Sequence, residues 1–330
     1  MRYQVIGCSV IAVMLLAGTT TTLAQDAKAT EILAATRKAI GDKLGSLKTL
    51  SVEANMQRNV GNFQSQADVE MLFDMPDKYL RSEVSSGMMN MTLSTGFNGD
   101  RAIMPAGVRA LPGGGMVITM GGGAAAHQPE AEKPTPDQLE QMNKNSLRSY
   151  RQEISRLMLG WFGTTHPSLT AHYTYVGEAE SPDGKAYVID VKGDDDFAAR
   201  LFIDQNSKLP LMVSYQGRAR QMMTSGMGPG MTRVAGPGGG AGGSTNRQLT
   251  EEEIKKLREQ VDKNVASMAA QPPATVEYSL FFEDWREVDG INFPHVMRRA
   301  TKGSTEEEWT IKKVKVNPRI DAKKFAVDGK

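Results

Sequence analysis

Val276-Glu-Tyr-Ser-Leu-Phe-Phe-Glu-Asp-Trp-Arg-Glu-Val-Asp-Gly-Ile-Asn-Phe-Pro-His-Val-Met297 reads as a strand, a tight turn at Asp289-Gly290 and a second strand. Asp-Gly between runs of aromatic and branched residues is a strong hairpin signal, because glycine takes the positive φ that such a turn needs. A third strand follows from Glu307, in which Trp309, Ile311, Val314 and Val316 are the apolar positions. The step from Ile311 to Val314 breaks the two-residue period and predicts a bulge or a change of face. Pro318 ends the run, and Ile320 to Val327 closes the chain. The reading is a meander of antiparallel sheet with one apolar face, and it contains no catalytic pattern.

At the other end, residues 1–24 have the form of a signal peptide. Arg2 gives the positive start, Val5 to Ala17 the apolar core, and Thr22-Leu23-Ala24 the small-residue cleavage site. The apolar run is short for a membrane span. The expectation is therefore export to the periplasm with cleavage after Ala24. Cleavage removes the only cysteine, Cys8, and with it any disulfide, thiol nucleophile or cysteine metal site. It also removes Arg2, leaving 38 basic residues (39 − 1) against 38 acidic ones. Such a balance argues against a nucleic-acid binder.

Between these ends the sequence alternates strands with a few helices. A helix is expected from Ala29 to Leu44, capped by Thr30, and Gly45-Ser46 breaks it. Strands follow at Leu50 to Val60 and Gln64 to Phe73, joined around Gly61-Asn62, and a Pro76 corner leads into another. Met88 to Thr95 and Phe97 to Met104 pair around Asn98-Gly99-Asp100. Residues 105–134 lose the pattern in Gly-rich sequence and read as a flexible insertion, since a phosphate loop would need a following helix and Lys-Ser/Thr. Thr135-Pro-Asp-Gln138 is a capping box that opens a helix reaching Trp161, with a possible break at Lys144 to Ser146. Its stripe of Leu147, Tyr150, Ile154, Leu157, Met158 and Trp161 fits a helix packed on the sheet or a lid over a cavity. Strands are expected at Leu169–Glu178, Ala186–Lys192, Ala199–Asp204 and Leu209–Tyr215. A flexible insertion at 217–248 and an inserted amphipathic helix at 250–270 precede the closing meander. One domain is expected over 25–330.

Metal and catalytic signatures are missing from the sequence. His127, His166, His172 and His295 have no ligand spacing and read as surface or structural residues. Asp194-Asp-Asp reads as a solvated turn. There is no Gly-x-Ser-x-Gly elbow. The expectation is a non-enzyme without cofactor or metal. Methionines cluster near the Gly-rich stretches (Met88, Met89, Met91, Met116, Met120, and Met222, Met223, Met227, Met231), where they fit loop and core filler. Contacts to varied apolar ligands and a Cu(I) site are the alternatives.

The closing segment resembles the LolA/LolB-like outer-membrane lipoprotein-sorting superfamily. The residues that carry the resemblance are Phe282 to Met297, Trp309-Thr-Ile-Lys-Lys-Val-Lys-Val-Asn-Pro-Arg-Ile-Asp321, Phe325, and Phe202-Ile-Asp-Gln-Asn-Ser-Lys-Leu-Pro-Leu-Met-Val213. The resemblance covers about 170–330, and its motifs are structural. It implies an α+β fold: a curved, unclosed antiparallel half-barrel with helices covering its concave, apolar face. The two Gly/Met-rich stretches and the charged helix at 250–270 depart from the pattern.

On the resemblance, the function expected is a periplasmic carrier or sensor, monomeric, that binds a lipid or a lipidated protein. The candidate cavity residues are Met71, Phe73, Leu201, Ile203, Leu280, Phe282 and Trp309. Leu201 and Ile203 share one face, with Phe202 on the other. The alternatives are a protein-interaction module that engages an envelope partner and a Met-based copper binder.

Overall fold

The structure is a computed structural model, and it describes residues 22–60, 63–85, 91–105, 108–110, 116–118, 135–181, 184–218 and 275–326. The expected turn at Gly61-Asn62, His127, most of the 105–134 stretch, nearly all of 217–248, the helix at 250–270 and most of the signal segment lie outside these residues. So do Met88, Met89, Met120 and the methionines at 222–231. The chain divides into two compact units. One comprises Met1–Val108, Met120–Gly217 and Val276–Lys330, and the other Arg109–Thr119 and Arg218–Thr275.

Helix α1 (Thr22–Ile40) leads through a 3-10 turn to strands β1 (Thr49–Val60), β2 (Phe63–Asp74), β3 (Lys78–Ser85), β4 (Met91–Asn98) and β5 (Arg101–Ile103). Two short strands, β6 (Val108–Ala110) and β7 (Met116–Ile118), pair only with each other. Helix α2 (Pro136–Phe162) precedes β8 (Ala171–Ser181), β9 (Gly184–Gly193), β10 (Phe197–Asp204) and β11 (Pro210–Arg218). The meander is β12 (Thr275–Val288), β13 (Ile291–Thr301) and β14 (Ser304–Val316). Twelve strands form one sheet in the order β5-β4-β3-β2-β1-β14-β13-β12-β11-β10-β9-β8. Two meanders are thus joined by β1 lying against β14, and among the described residues β5 and β8 are the edges of an open sheet.

The turn chemistry works as the sequence requires. Asp289 and Gly290 have φ of 51° and 81°, which gives the two-residue primed turn between β12 and β13. The β14 bulge falls at Lys312: Glu53 pairs with Lys313 and Ala54 with Ile311, so Val314 and Val316 return to the face of Ile311. The α2 capping box is complete, with Gln138 N–H donating to Thr135 Oγ1 at 3.3 Å and Thr135 N–H to Gln138 Oε1 at 2.9 Å. No break occurs at Lys144 to Ser146, because the residues on either side keep helical spacing for one buried stripe. The first helix departs from expectation. It starts at Thr22, so Thr30 is interior and its hydroxyl bonds the Asp26 carbonyl at 2.9 Å, and it ends at Ile40. Leu44 belongs to the 3-10 turn instead.

One face of the sheet carries the main core. Val52, Met71, Phe73, Ile189, Leu201, Ile203, Val213, Phe282, Phe293 and Ile311 join Ile32, Leu33 and Ile40 of α1 and Ile154, Met158 and Trp161 of α2. The other face holds smaller clusters: Phe202 sits with Val188 and Met212, and Phe325 with Leu72, Leu80 and Ile103. The period-two alternation therefore resolves Leu201 and Ile203 inward and Phe202 outward.

The sheet curves around α2, and two polar anchors establish this. Arg151 Nη2 donates to the Gly99 carbonyl at 3.3 Å and to Asp100 at 3.1 Å, in the β4–β5 turn. One helical turn away, Arg148 and Gln152 donate to the Asp195 carbonyl in the β9–β10 turn at 2.6 and 2.8 Å. Strands β4 and β10 are second and tenth in the sheet order. In a flat sheet, eight strand spacings would separate them by roughly 38 Å, too far for side chains of one helical turn to bridge. The concave face is the one that α2 fills. Asp194 to Asp196 is the exposed turn expected of it.

Candidate functional site

A small cavity of about 40 Å³ lies between the middle of α2 and the inner face of β11–β14, room for roughly three water-sized groups. Its apolar wall is Leu157 from α2, Leu280 and Phe282 from β12, Met297 from β13 and Trp309 from β14. Its polar wall is mostly arginine: Arg81, Arg156 and Arg299, with Glu153 and Glu307; Arg298 also borders it but turns its side chain to the other face, over Phe281.

The wall depends on one close approach. A Cβ on Gly160 of α2 would stand 1.8 Å from Cζ of Phe282, so glycine lets the helix settle directly on that ring. Trp161, next along α2, donates Nε1–H to Met297 Sδ at 3.0 Å and packs against Phe293 at 4.9 Å and edge-on to Phe73 at 5.9 Å. These contacts fix α2 against β2, β12 and β13.

The charged wall arises from the strand period carried past its apolar positions. On β1, Arg58 follows Val52, Ala54 and Met56 in phase. On β14, Glu307 precedes Trp309 and Ile311 in phase. Glu307 stands directly opposite Arg58 on one side and Arg299 on the other. Its carboxylate, 2 % exposed, accepts from Arg58 Nε at 2.8 Å and pairs with Arg299. Arg81 pairs with Glu83, donates to Glu153 at 2.7 Å and lies over the Trp309 ring at 4.6 Å. Burial alone would lower the pKa of Arg81, but Glu83 and Glu153 outweigh it and hold the group above its usual value. Buried ion pairs of this kind are costly to form and costlier to break singly, since the partner is left charged and dry.

Arg156 differs from these. Among the described residues it has no carboxylate partner; its guanidinium lies over Tyr215 at 4.2 Å and Phe197 at 5.4 Å and donates to Gln152 at 3.2 Å, and its Nε, like that of Arg81, is buried without an acceptor. Burial lowers its pKa from the usual value, though guanidinium stays protonated in proteins.

All seven sequence-derived candidates fall in or against one apolar cluster. Leu280, Phe282 and Trp309 line the cavity. Met71, Phe73, Leu201 and Ile203 are packed in the surrounding core, at most 1 % exposed. The arginines and glutamates of the wall were not among the candidates. Their signal was present as charged residues in phase with apolar ones, which ordinarily marks the point where a strand leaves the core. His166 is fully buried, edge-on to Phe97 at 5.6 Å, with Nδ1 2.7 Å from Ser168 Oγ. Burial first, and the Arg151 charge second, push its pKa down to about 4. His172 and His295 lie on β8 and β13. Among the described residues no three of His, Cys, Asp and Glu are grouped to hold a metal ion, and no helix is long and apolar enough to cross a membrane.

No protein-family model matches the sequence, and no curated protein matches it. Among solved structures, the chain is similar to a LolA superfamily protein from Nitrosomonas europaea, at 9% identity over 91% of this chain and 98% of that one, with a TM-score of 0.44. It is also similar to a putative outer membrane lipoprotein-sorting protein domain from Vibrio parahaemolyticus, at 9% identity over 91% and 97% of the two chains, with a TM-score of 0.42.

Proposed function

We propose that the protein is an exported, non-enzymatic carrier or sensor that takes a lipid, or the acyl chain of a lipidated protein, on the concave face of its half-barrel. The observation that carries this reading is the cavity where Leu280, Phe282 and Trp309 meet α2, with an apolar wall facing a guanidinium wall. A ligand larger than a few methylenes must displace part of α2 to enter, so α2 serves both as core helix and as cover. In this reading Met71, Phe73, Leu201 and Ile203 form the deeper apolar surface that a longer chain would reach. Export follows from the leader at 1–24, with cleavage after Ala24 delivering the chain to the periplasm.

Delipidated protein titrated with a fluorescent fatty acid tests this. Saturable uptake that competes with unlabelled lipid is expected, with Leu280→Glu abolishing it while the fold is kept. Absence of uptake, together with no lipid on native mass spectrometry of protein purified from its own envelope, would sink the proposal.

A further inference from the structure

Four arginines (Arg58, Arg81, Arg156, Arg299) and three glutamates (Glu83, Glu153, Glu307) meet at or beside the cavity. One positive charge is in excess, and the pairings place it. Among the described residues, each of the other three arginines has a carboxylate partner, whereas none lies within ion-pair distance of Arg156. Glu153, one helical turn away on α2, is taken by Arg81. A largely buried guanidinium held against two aromatic rings with no carboxylate beside it is expensive to keep without an anion.

We infer that Arg156 is the headgroup anchor of the site: it binds the anionic group of an amphiphile, a carboxylate or phosphate, whose apolar stem lies against Leu157, Leu280, Phe282 and Trp309. The inference rests on the proposed lipid-binding reading and narrows it to anionic ligands. Guanidinium suits this role because its planar fork matches carboxylate and phosphate oxygens. Tyr215 beneath it at 4.2 Å holds the plane in place. The small cavity holds little more than the head, and the stem enters as α2 yields.

The test is isothermal titration of the mature protein with four probes: decanoate, decanol, acetate and inorganic phosphate. Decanoate should bind tighter than decanol by roughly tenfold or more, the worth of one charge-assisted hydrogen bond. Arg156→Gln should erase that advantage, with an unfolding transition like the parent's certifying that the variant is folded. Arg156→Lys should keep part of the advantage. Equal affinity for decanoate and decanol, or an advantage that survives Arg156→Gln, overturns the inference and leaves the lipid-binding reading standing. Saturable acetate or phosphate binding with no gain from the decyl chain assigns the site to a free anion and overturns the amphiphile. Failure of decanol and decanoate alike removes both readings.

Discussion

Replacing Gly160 by alanine sets two effects of opposite sign against each other. In a helix interior, alanine is favoured over glycine by about 1 kcal/mol. Here, however, the added methyl would lie 1.8, 2.1 and 2.4 Å from three carbons of the Phe282 ring, where ordinary contact is about 3.5–4.0 Å. Either the ring or the helix must move by roughly 2 Å. The ring is fully buried, and the free space nearest it is the cavity of about 40 Å³. Overpacking a core costs about 1–3 kcal/mol, and this overlap lies at the severe end. The net expectation is a loss of about 2 kcal/mol, with the displaced ring filling the cavity and reducing ligand uptake. Urea unfolding of Gly160→Ala, Phe282→Leu and the double variant measures this. Phe282→Leu alone should destabilise, and the double variant should be more stable than the sum of the single losses allows. Strict additivity, or a Gly160→Ala variant as stable as the parent, would refute the close approach of α2 to β12.

Glu307→Gln leaves Arg58 and Arg299 facing each other across a neutral residue. A loss of about 3–5 kcal/mol is expected in chemical denaturation, and a loss below about 1 kcal/mol would mean that solvent reaches the site. His166 sets a pH dependence: its folded pKa of about 4 lies below the unfolded value near 6.5, so the unfolded chain binds the proton more readily between them. Its contribution is full above about pH 6.5, falls as pH drops through that window, and is gone below about pH 4, for a total of about 3 kcal/mol. His166→Asn should flatten the midpoint-against-pH curve over that range, and an unchanged slope would count against a buried neutral imidazole. Thr135→Ala removes the side-chain acceptor of the α2 capping box and should cost about 1 kcal/mol, read from thermal unfolding; no change would show that the exposed first turn frays in the parent.

The meander and its register were legible because Asp289-Gly290 and the Ile311–Val314 step are local signals, each governed by backbone geometry within a few residues. The β1–β14 seam left no such trace. It joins segments more than two hundred residues apart, and only the fold shows that Arg58 and Glu307 are opposite. The same holds for the site. Leu280, Phe282 and Trp309 announce themselves as inward positions of aromatic-rich strands. The charged wall is assembled from four strands and a helix, and no window of sequence contains two of its opposed partners except Arg81 with Glu83. The first helix was misplaced because Thr30 is a good cap residue in isolation, while burial of Ala29 and Ile32 lets the helix run back to Thr22.

How a ligand could enter follows from what holds α2. Ile154, Leu157, Met158, Trp161 and Phe162 are buried on the sheet, and at about 2 kcal/mol each they contribute on the order of 10 kcal/mol. Wholesale undocking would then be populated at about one part in ten million, too rare to serve uptake. The first turns of α2 are another matter. Residues Pro136 to Gln141 are exposed, and the bridges from Arg148 and Arg151 to the rim turns join exposed aspartates, each worth about 0–1 kcal/mol. Opening is therefore cheapest at the capped end and dearest at Trp161. The cavity sits between the two, beside Glu153, Arg156 and Leu157. Bending α2 away up to that point also lifts Leu147, Tyr150 and Ile154 from the core, at about 2 kcal/mol each, so a ligand that enters beside Arg156 and Leu280 must repay roughly 6 kcal/mol while Trp161 stays seated.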